Sequence, residues 1–285
     1  MFSKEAIEEL AKAQAISAAA SSVDASLGAE AAHALVPLPS DFKVHDLESN
    51  LPNRRRARGA METAVLAHFA AYVGDHKEEG ATVFVNKAAM QATAVLNLGV
   101  PSRPGHADSL ATYAPDKTAP YIALNALLNR SSSHGLTQRE LAEFMEDWID
   151  VIECYDTDEV FMPGKRAIDA VRKITIDSAR KVESTEGQLS AERSALEKVA
   201  ASSGGASLPT TITFRCEPHH GIDQRIFRLR LSVRTGDANK PNLSLTLRLV
   251  KAEQHAQDMA DELAGKVDDA LAGKAPVYVG SYSPK

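Results

Sequence analysis

The stretch IFRLRLSVR, residues 226–234, alternates between apolar and polar side chains without a break after its first residue. Successive side chains of a β-strand point to opposite faces, so this alternation predicts a strand with one buried and one exposed face. The buried face would hold the apolar members of the stretch: Phe227, Leu229, Leu231 and Val233. The exposed face would hold a row rich in cations: Arg228, Arg230, Ser232 and Arg234.

Two neighbouring stretches repeat this pattern and predict a small sheet. TITFRC (residues 211–216) and LSLTLRLV (residues 243–250) also alternate, and the link TGDANKPN (residues 235–242) is rich in turn-forming residues. We therefore predict that the last two strands form a hairpin within an antiparallel sheet. A helix predicted over residues 251–273 carries an apolar stripe, and we expect it to cover the apolar face of this sheet.

Composition indicates an ordinary globular chain of 285 residues, with 44% hydrophobic and 25% charged residues. The formal net charge is −6, so a nucleic-acid contact would need a local basic patch. Two cysteines far apart in sequence fit a reducing compartment better than a disulfide framework. The start, MFSKEAIEELAKAQ, lacks the apolar core of a secretory signal, and no apolar run approaches the ~20 residues that span a bilayer. We expect a cytoplasmic protein without membrane contact.

Turn-rich stretches predict three regions along the chain. Residues 1–58 would form an N-terminal arm that is helical or extended, and residues 59–201 a central α+β region. The linker SSGGAS (residues 202–207) precedes residues 208–285, which would hold the antiparallel sheet and the C-terminal helix. The expected fold class is α+β, with helices packed on antiparallel sheet.

The central region supplies more specific expectations. Met61, Val65 and Phe69 lie at helical spacing, which predicts a helix over residues 60–75. Alternating segments between residues 81 and 115 predict a long hairpin or small meander. Thr137 and Glu140 form a Thr-x-x-Glu capping box that would start a helix over residues 137–153.

The exposed side of the predicted late sheet is the first candidate site. It would collect five arginines and no carboxylate: Arg215, Arg228, Arg230, Arg234 and Arg248. Guanidinium groups suit bidentate contact with phosphate or carboxylate, so the face could meet a nucleic-acid backbone or an acidic protein surface. A solvated sheet face remains an alternative, since antiparallel sheets often expose one side to water. The run RRRAR, with Arg54, Arg55 and Arg56, is a second basic candidate.

An acidic segment complements this basic face. Residues 140–159 hold nine carboxylates and neither Lys nor Arg. If a basic sheet on one copy met an acidic helix on another, the protein would form a homo-oligomer with a fixed register. The candidate subunit-contact residues are Glu143, Glu146, Asp147 and Asp150.

Signals for catalysis are weak. His106 and Asp108 lie two residues apart in the loop segment PGHADS, and the segment CEPHH pairs Cys216 with His219 and His220, which is at most half a zinc site. The sequence has no phosphate-binding Gly-rich loop, dinucleotide fingerprint or His-Glu-x-x-His motif. We therefore expect no enzyme, no metal and no cofactor, although the acidic segment leaves a metal-dependent nuclease as an alternative.

Several stretches in this order resemble the YfdQ-like family of phage and prophage proteins, domain of unknown function 2303. The most specific are PGHADSLATY (residues 104–113) and LTQRELAEFMEDW (residues 136–148). The resemblance runs over nearly the whole chain and implies a phage or prophage source within a bacterial host. It assigns no catalytic residue.

These expectations combine into one functional hypothesis and two alternatives. The protein would be a non-enzymatic, self-associating accessory or scaffold in phage DNA metabolism. The alternatives are a self-assembling, capsid-like shell or ring, whose basic face contacts its own neighbours, and the metal-dependent nuclease.

Overall fold

The computed structural model describes residues 52–53, 56–174, 208–235 and 243–283, together with part of the segment 3–21. The chain divides into two compact units, Met1–Ala57 and Arg58–Lys285. In the first unit, residues 9–14 are helical and exposed, and Ser3 Oγ accepts a hydrogen bond from the Ala6 N–H at 3.3 Å. The described residues between 4 and 21 are therefore helical. The extended part of the arm, predicted from the Gly, Ser and Pro residues of segment 21–52, lies outside the described residues except for residues 21 and 52.

Where the structure describes the second unit, it contains two five-stranded sheets. The strands of the first sheet are β1 (Gly59–Thr63), β2 (Thr82–Asn86), β3 (Gln91–Val95), β6 (Ser109–Tyr113) and β12 (Val277–Val279). Their spatial order is β1-β6-β3-β2-β12; β3 pairs antiparallel with β2 and β6, whereas the two edge strands pair parallel with their neighbours. The predicted meander is confirmed as β2-β3-β6. A two-stranded ribbon of β4 (Gly99–Val100) and β5 (Arg103–Pro104) lies between β3 and β6 in sequence.

The second sheet is antiparallel throughout. Its strands are β7 (Ile152–Tyr155), β8 (Phe161–Met162), β9 (Thr211–Cys216), β10 (Arg225–Thr235) and β11 (Leu243–Leu249). Their spatial order is β11-β10-β9-β7-β8, and β10 and β11 form the predicted hairpin.

Five α-helices formed by the described residues pack on these sheets. They are α1 (Leu66–His76), α2 (Ala119–His134), α3 (Gln138–Asp147), α4 (Gly164–Arg172) and α5 (Ala252–Leu271). The fold is α+β, as the sequence predicted.

Each sheet buries one face in its own hydrophobic core. In the first core, Val83 and Val85 of β2 are fully buried against apolar residues of α1 and α5, such as Phe69 and Leu263. In the second core, the inward residues of β9–β11 pack against side chains from α2, α3 and α4. Burial of these side chains contributes roughly 1.5–3 kcal/mol each to folding.

The C-terminal helix does not cover the sheet we expected. Its buried residues, including Met259, Leu263 and Val267, belong to the core of the first sheet. The alternating β10 residues pack instead against helices from the central region. The expectation that α5 covers the late sheet was wrong, because an amphipathic stripe fits any apolar sheet face and pairing of β12 with β2 carries α5 to the first sheet. The two regions predicted as 59–201 and 208–285 thus interleave.

Two helix boundaries also differ from the predictions. Residues 59–63 form strand β1 instead of the first turn of a helix, and α1 begins at Leu66. The helix predicted to reach residue 153 ends at Asp147, and a short 3-10 turn, Ile149–Val151, leads into β7. In both places strand pairing prevails over local helical spacing: β1 pairs with β6, and β7 pairs with β9.

An ion network joins α5 to the loop before β10. Glu262 on α5 accepts hydrogen bonds from Arg225 Nη2 at 2.6 Å and from the Asp223 N–H at 2.6 Å. Lys266 Nζ lies 2.9 Å from Glu262 Oε1 and 2.8 Å from Asp223 Oδ1. The side chains of Arg225 and Glu262 are 18% and 16% exposed, so this pair is largely removed from water. It connects the helix of the first core to a strand of the second sheet.

Candidate functional site

The outer face of the second sheet carries the predicted arginines. Along β10, Phe227, Leu229 and Leu231 are buried, whereas Arg228 and Arg230 are exposed. The two-faced strand is therefore confirmed. Arg215 on β9 and Arg248 on β11 are also exposed, and the backbone of Arg234 pairs with Ser244.

Two of these arginines meet carboxylates of the same chain. Arg215 Nη2 lies 3.7 Å from Glu153 Oε1, and Arg228 forms an ion pair with Glu159. Both acids belong to the acidic segment, which contributes β7 and the turn after it to this sheet. The expectation of a face without carboxylates was wrong, because the helix predicted over residues 137–153 includes Glu153, which the structure places on strand β7 beside β9.

Arg230 and Arg248 form the remaining basic patch of the face. They lie directly opposite each other on β10 and β11, and neither forms an ion pair with a residue that the structure describes. The next pair along these strands is Ser232 and Thr246, both half-buried. Like charges opposite each other on adjacent strands destabilise a sheet, and a bound anion removes that repulsion. We call Arg230 and Arg248 the arginine pair.

The predicted subunit-contact acids fall into two groups. Glu143 accepts from Arg139 at 2.6 Å and Glu146 from Arg172 at 2.8 Å, so both have partners in the chain. Asp147 and Asp150 are exposed at the end of α3, and within the described ranges neither forms an ion pair. The structure therefore leaves these two acids as the open part of the acidic segment.

The basic run before β1 is only partly described. Arg54 and Arg55 lie outside the described residues. Arg56 is half-buried and interacts with other groups of the chain.

The loop of His106 and Asp108 has a structural explanation. The side chain of Asn97 donates to Asp108 Oδ1 at 2.9 Å, and its oxygen accepts from the Asp108 and Ser109 N–H groups. A Cβ at Gly105 would lie 1.9 Å from the Asn97 carbonyl oxygen, so only glycine fits there. His106 is exposed. These contacts account for the PGHADS motif as a turn that leads into β6.

The CEPHH segment places its cysteine and first histidine in the interior. Burial raises the pKa of Cys216 to about 11, and the same cause raises that of Cys154 to about 12. His219 is 3% exposed, and its Nδ1 donates to the Pro115 carbonyl at 2.9 Å. Among the residues that the structure describes, no group of three or more His, Cys, Asp or Glu side chains is arranged to hold a metal ion.

A cavity of about 620 Å³ was not anticipated from the sequence. It lies among the β2–β3 turn, the start of α2, the loop after β9, the first turns of α5 and the segment after β12. Polar residues that line it include Lys87, Lys117, Tyr121, Asn125 and His219. These residues are distant in sequence, so no local motif marks the cavity. Of the residues that line it, the sequence indicated only His219, and only as a possible zinc ligand in the CEPHH segment.

An aromatic cluster on the outer face of the first sheet was also missed. The Phe84 ring stacks on Tyr282 with centroids 5.2 Å apart and lies 6.4 Å from the Tyr278 ring. Phe84 alternates with buried Val83 and Val85, so it points away from the core. The alternation in TVFVN was the available signal, but it indicated a strand without indicating which face stays open.

The match to known protein families decides the family of this chain. A family model described as "Uncharacterized conserved protein (DUF2303)" matches residues 4–282. The chain belongs to the DUF2303 family. The resemblance to domain of unknown function 2303 is therefore confirmed, over almost the full sequence. No curated protein and no solved structure matches the chain. Across the described part of this DUF2303 member, no helix has the length and apolar character required to cross a membrane.

Proposed function

We propose that the protein is a non-enzymatic, self-associating accessory or scaffold in phage DNA metabolism, acting in the cytoplasm of a bacterial host. In this proposal the outer face of the second sheet contacts the phosphate backbone of DNA. The observation that carries it is the arginine pair, two exposed guanidinium groups opposite each other without a carboxylate partner among the described residues. The resemblance to YfdQ-like proteins supplies the phage context.

The small size of the patch explains why self-association belongs to the proposal. Each phosphate that a protein neutralises releases counterions and contributes about −0.9 to the slope of log affinity against log salt. Because two arginines per chain neutralise few phosphates, a single chain binds DNA weakly. Several linked copies bind more tightly, because each further contact is intramolecular. The net charge of −6 opposes contact with DNA elsewhere on the surface, which favours contact through a defined face.

The first test compares DNA affinity of two variants with equal charge. We expect Arg230→Ala/Arg248→Ala to weaken binding to a labelled DNA duplex by about tenfold or more, because it removes the proposed phosphate contacts. Fluorescence anisotropy at several salt concentrations should also show a salt slope that is shallower by about two per chain.

The matched control is Arg103→Ala/Arg139→Ala, which removes two arginines whose side chains are 82% and 86% exposed and which are not on the strands of the second sheet. Its affinity should stay within about twofold of the wild type. Equal losses in both double variants, or no binding by the wild-type protein at low salt, would overturn the proposal.

A further inference from the structure

The cavity beside His219 has the features of a small-molecule site. Its volume of about 620 Å³ falls within the range of about 300–1,000 Å³ that is usual for ligand pockets. All of its walls belong to the second unit, and Tyr121, which lines the cavity, packs against both hydrophobic cores. It is lined by residues different from the arginine pair, so its occupancy is a separate question from DNA contact.

His219 supplies an unpartnered acceptor at this cavity. The ring is almost completely buried, and its Nδ1 donates to the Pro115 carbonyl, which can only accept. Burial also lowers the pKa of His219, which favours the neutral ring. In a neutral ring with a protonated Nδ1, Nε2 is an acceptor, and no hydrogen bond reaches it from any residue that the structure describes. A ligand with an N–H or O–H group would satisfy it.

Two lysines give the cavity a positive charge. Lys87 and Lys117 both line it, and neither forms an ion pair with a described residue. Lys87 Nζ donates to Gln257 Oε1 at 3.1 Å, which holds this ammonium group beside α5. The described residues that line the cavity include no Asp or Glu. The charge therefore favours an anionic ligand.

The remaining walls suit a flat ring. Met90 and Met259 are buried residues at the cavity, and their thioethers make favourable contacts with aromatic rings. Tyr121 adds an aromatic face, and its position is fixed by contact with the Phe227 ring at 5.4 Å between centroids. Asn86 Nδ2 and Asn125 Oδ1 supply further hydrogen-bonding groups, whereas Asn86 Oδ1 accepts from the Ala88 and Ala89 N–H groups and Asn125 Nδ2 donates to the Tyr121 carbonyl. Cationic, apolar and amide groups in one cavity match a ring that carries a phosphate.

We propose that this cavity binds a nucleoside monophosphate, with the phosphate at Lys87 and Lys117 and the base against Met90, Met259 and Tyr121. An amino or ring N–H group of the base donates to His219 Nε2. The same chemistry is present in a free nucleotide and in the terminal nucleotide of a DNA strand. Neither source requires that the arginine pair bind DNA.

Isothermal titration calorimetry of the full-length protein tests this site. The ligands are the four 2′-deoxynucleoside 5′-monophosphates. The corresponding nucleosides and inorganic phosphate are titrated separately as the two halves of each ligand. We expect at least one monophosphate to bind about tenfold more tightly than either of its halves. A 5′-phosphorylated dinucleotide distinguishes the sources: equal or tighter binding assigns the site to strand ends, and weaker binding assigns it to free nucleotides.

Two variants test the location of the site. Lys87→Ala/Lys117→Ala should weaken monophosphate binding by about tenfold or more, whereas the equally charged control Lys165→Ala/Lys173→Ala on and beside α4 should not. Ala256→Leu adds bulk from α5 into the cavity and should also weaken binding, with thermal unfolding recorded to show that the variant folds.

If no monophosphate binds the wild type below about 1 mM, or if inorganic phosphate binds as tightly as the nucleotides, the proposal is overturned. Equal losses in both lysine variants would also overturn it.

Discussion

At the scale of single residues, the contact between Glu262 and Arg225 is the most buried ion pair among the described residues. Arg225 also has a buried Nε–H without a hydrogen-bond partner, so the hydrogen-bonding capacity of its guanidinium is already incompletely satisfied. Removing one partner of a buried pair leaves an uncompensated charge, which typically costs about 3–5 kcal/mol. We therefore expect Glu262→Ala to lower the free energy of unfolding by about 3 kcal/mol, measured by urea denaturation.

The control for this variant is Asp223→Ala, which removes an exposed acid of the same network and should shift the urea midpoint only slightly.

Acid titration gives a second check. Burial raises the pKa of Glu262, but hydrogen bonds from Asp223 N–H, Lys266 and Arg225 outweigh it, so the pKa lies below the ordinary 4.5. Because its pKa is lower in the folded than in the unfolded protein, ionised Glu262 stabilises the fold in full above the unfolded-state pKa. This stabilisation is lost as the pH falls through the folded-state pKa. A wild-type protein as acid-sensitive as Glu262→Ala would contradict this account.

At the scale of elements, the start of α3 rests on a complete capping box. Thr137 Oγ1 accepts from the Glu140 N–H at 3.2 Å, and Glu140 Oε2 accepts from the Thr137 N–H at 2.9 Å. Thr137→Ala removes the first of these bonds, and we expect it to cost about 1 kcal/mol of unfolding free energy in urea. Thr137→Ser keeps the hydroxyl and should retain most of the stability. A serine variant as unstable as the alanine variant would argue against the capping role.

Prediction of elements from sequence succeeded where the pattern is local. The β10–β11 hairpin and α3's N-terminus depend on neighbouring residues, and the structure confirms both. It failed where a distant strand decides the outcome. Met61 fits a helical stripe, yet it pairs with Ala111 of β6, and Ile152 continues the stripe of α3 but pairs with Phe214.

The candidate sites show the same limit. Alternation in IFRLRLSVR was sufficient to place Arg228 and Arg230 on an exposed face, because a strand's two sides are set by its own residues. It could not show that Glu159 lies beside Arg228, since that requires the pairing of β7 with β9. The cavity around His219 depends on the packing of five separate segments, and no short stretch of sequence encodes it.

At the scale of the whole molecule, one chain carries two complementary patches. The arginine pair is basic, and Asp147 with Asp150 is acidic, with no ion pair formed by either patch among the described residues. The capsid-like alternative, in which the basic face contacts neighbouring copies instead of DNA, predicts that copies associate through these patches and that the assembly shrinks as salt rises, because exposed charge pairs are screened. Light scattering from low to high salt measures the mass.

Asp147→Asn/Asp150→Asn should reduce the low-salt mass, whereas Asp268→Asn/Asp269→Asn at the end of α5 makes the same charge change elsewhere and should not. A mass equal to one chain at every salt concentration, or one that does not respond to salt, would exclude this mode of association.

The return of residues 252–279 to the first sheet has a consequence for synthesis on the ribosome. Strands β1–β6 emerge early, but the helix and edge strand that complete their sheet emerge only after the entire second sheet. Until then, Val83 and Val85 lack the apolar side chains of α5 as a cover. Exposed apolar surface on a partly made chain promotes aggregation. A nascent polypeptide that has not reached residue 252 therefore exposes this apolar surface, and slow synthesis of residues 252–279 prolongs the exposure.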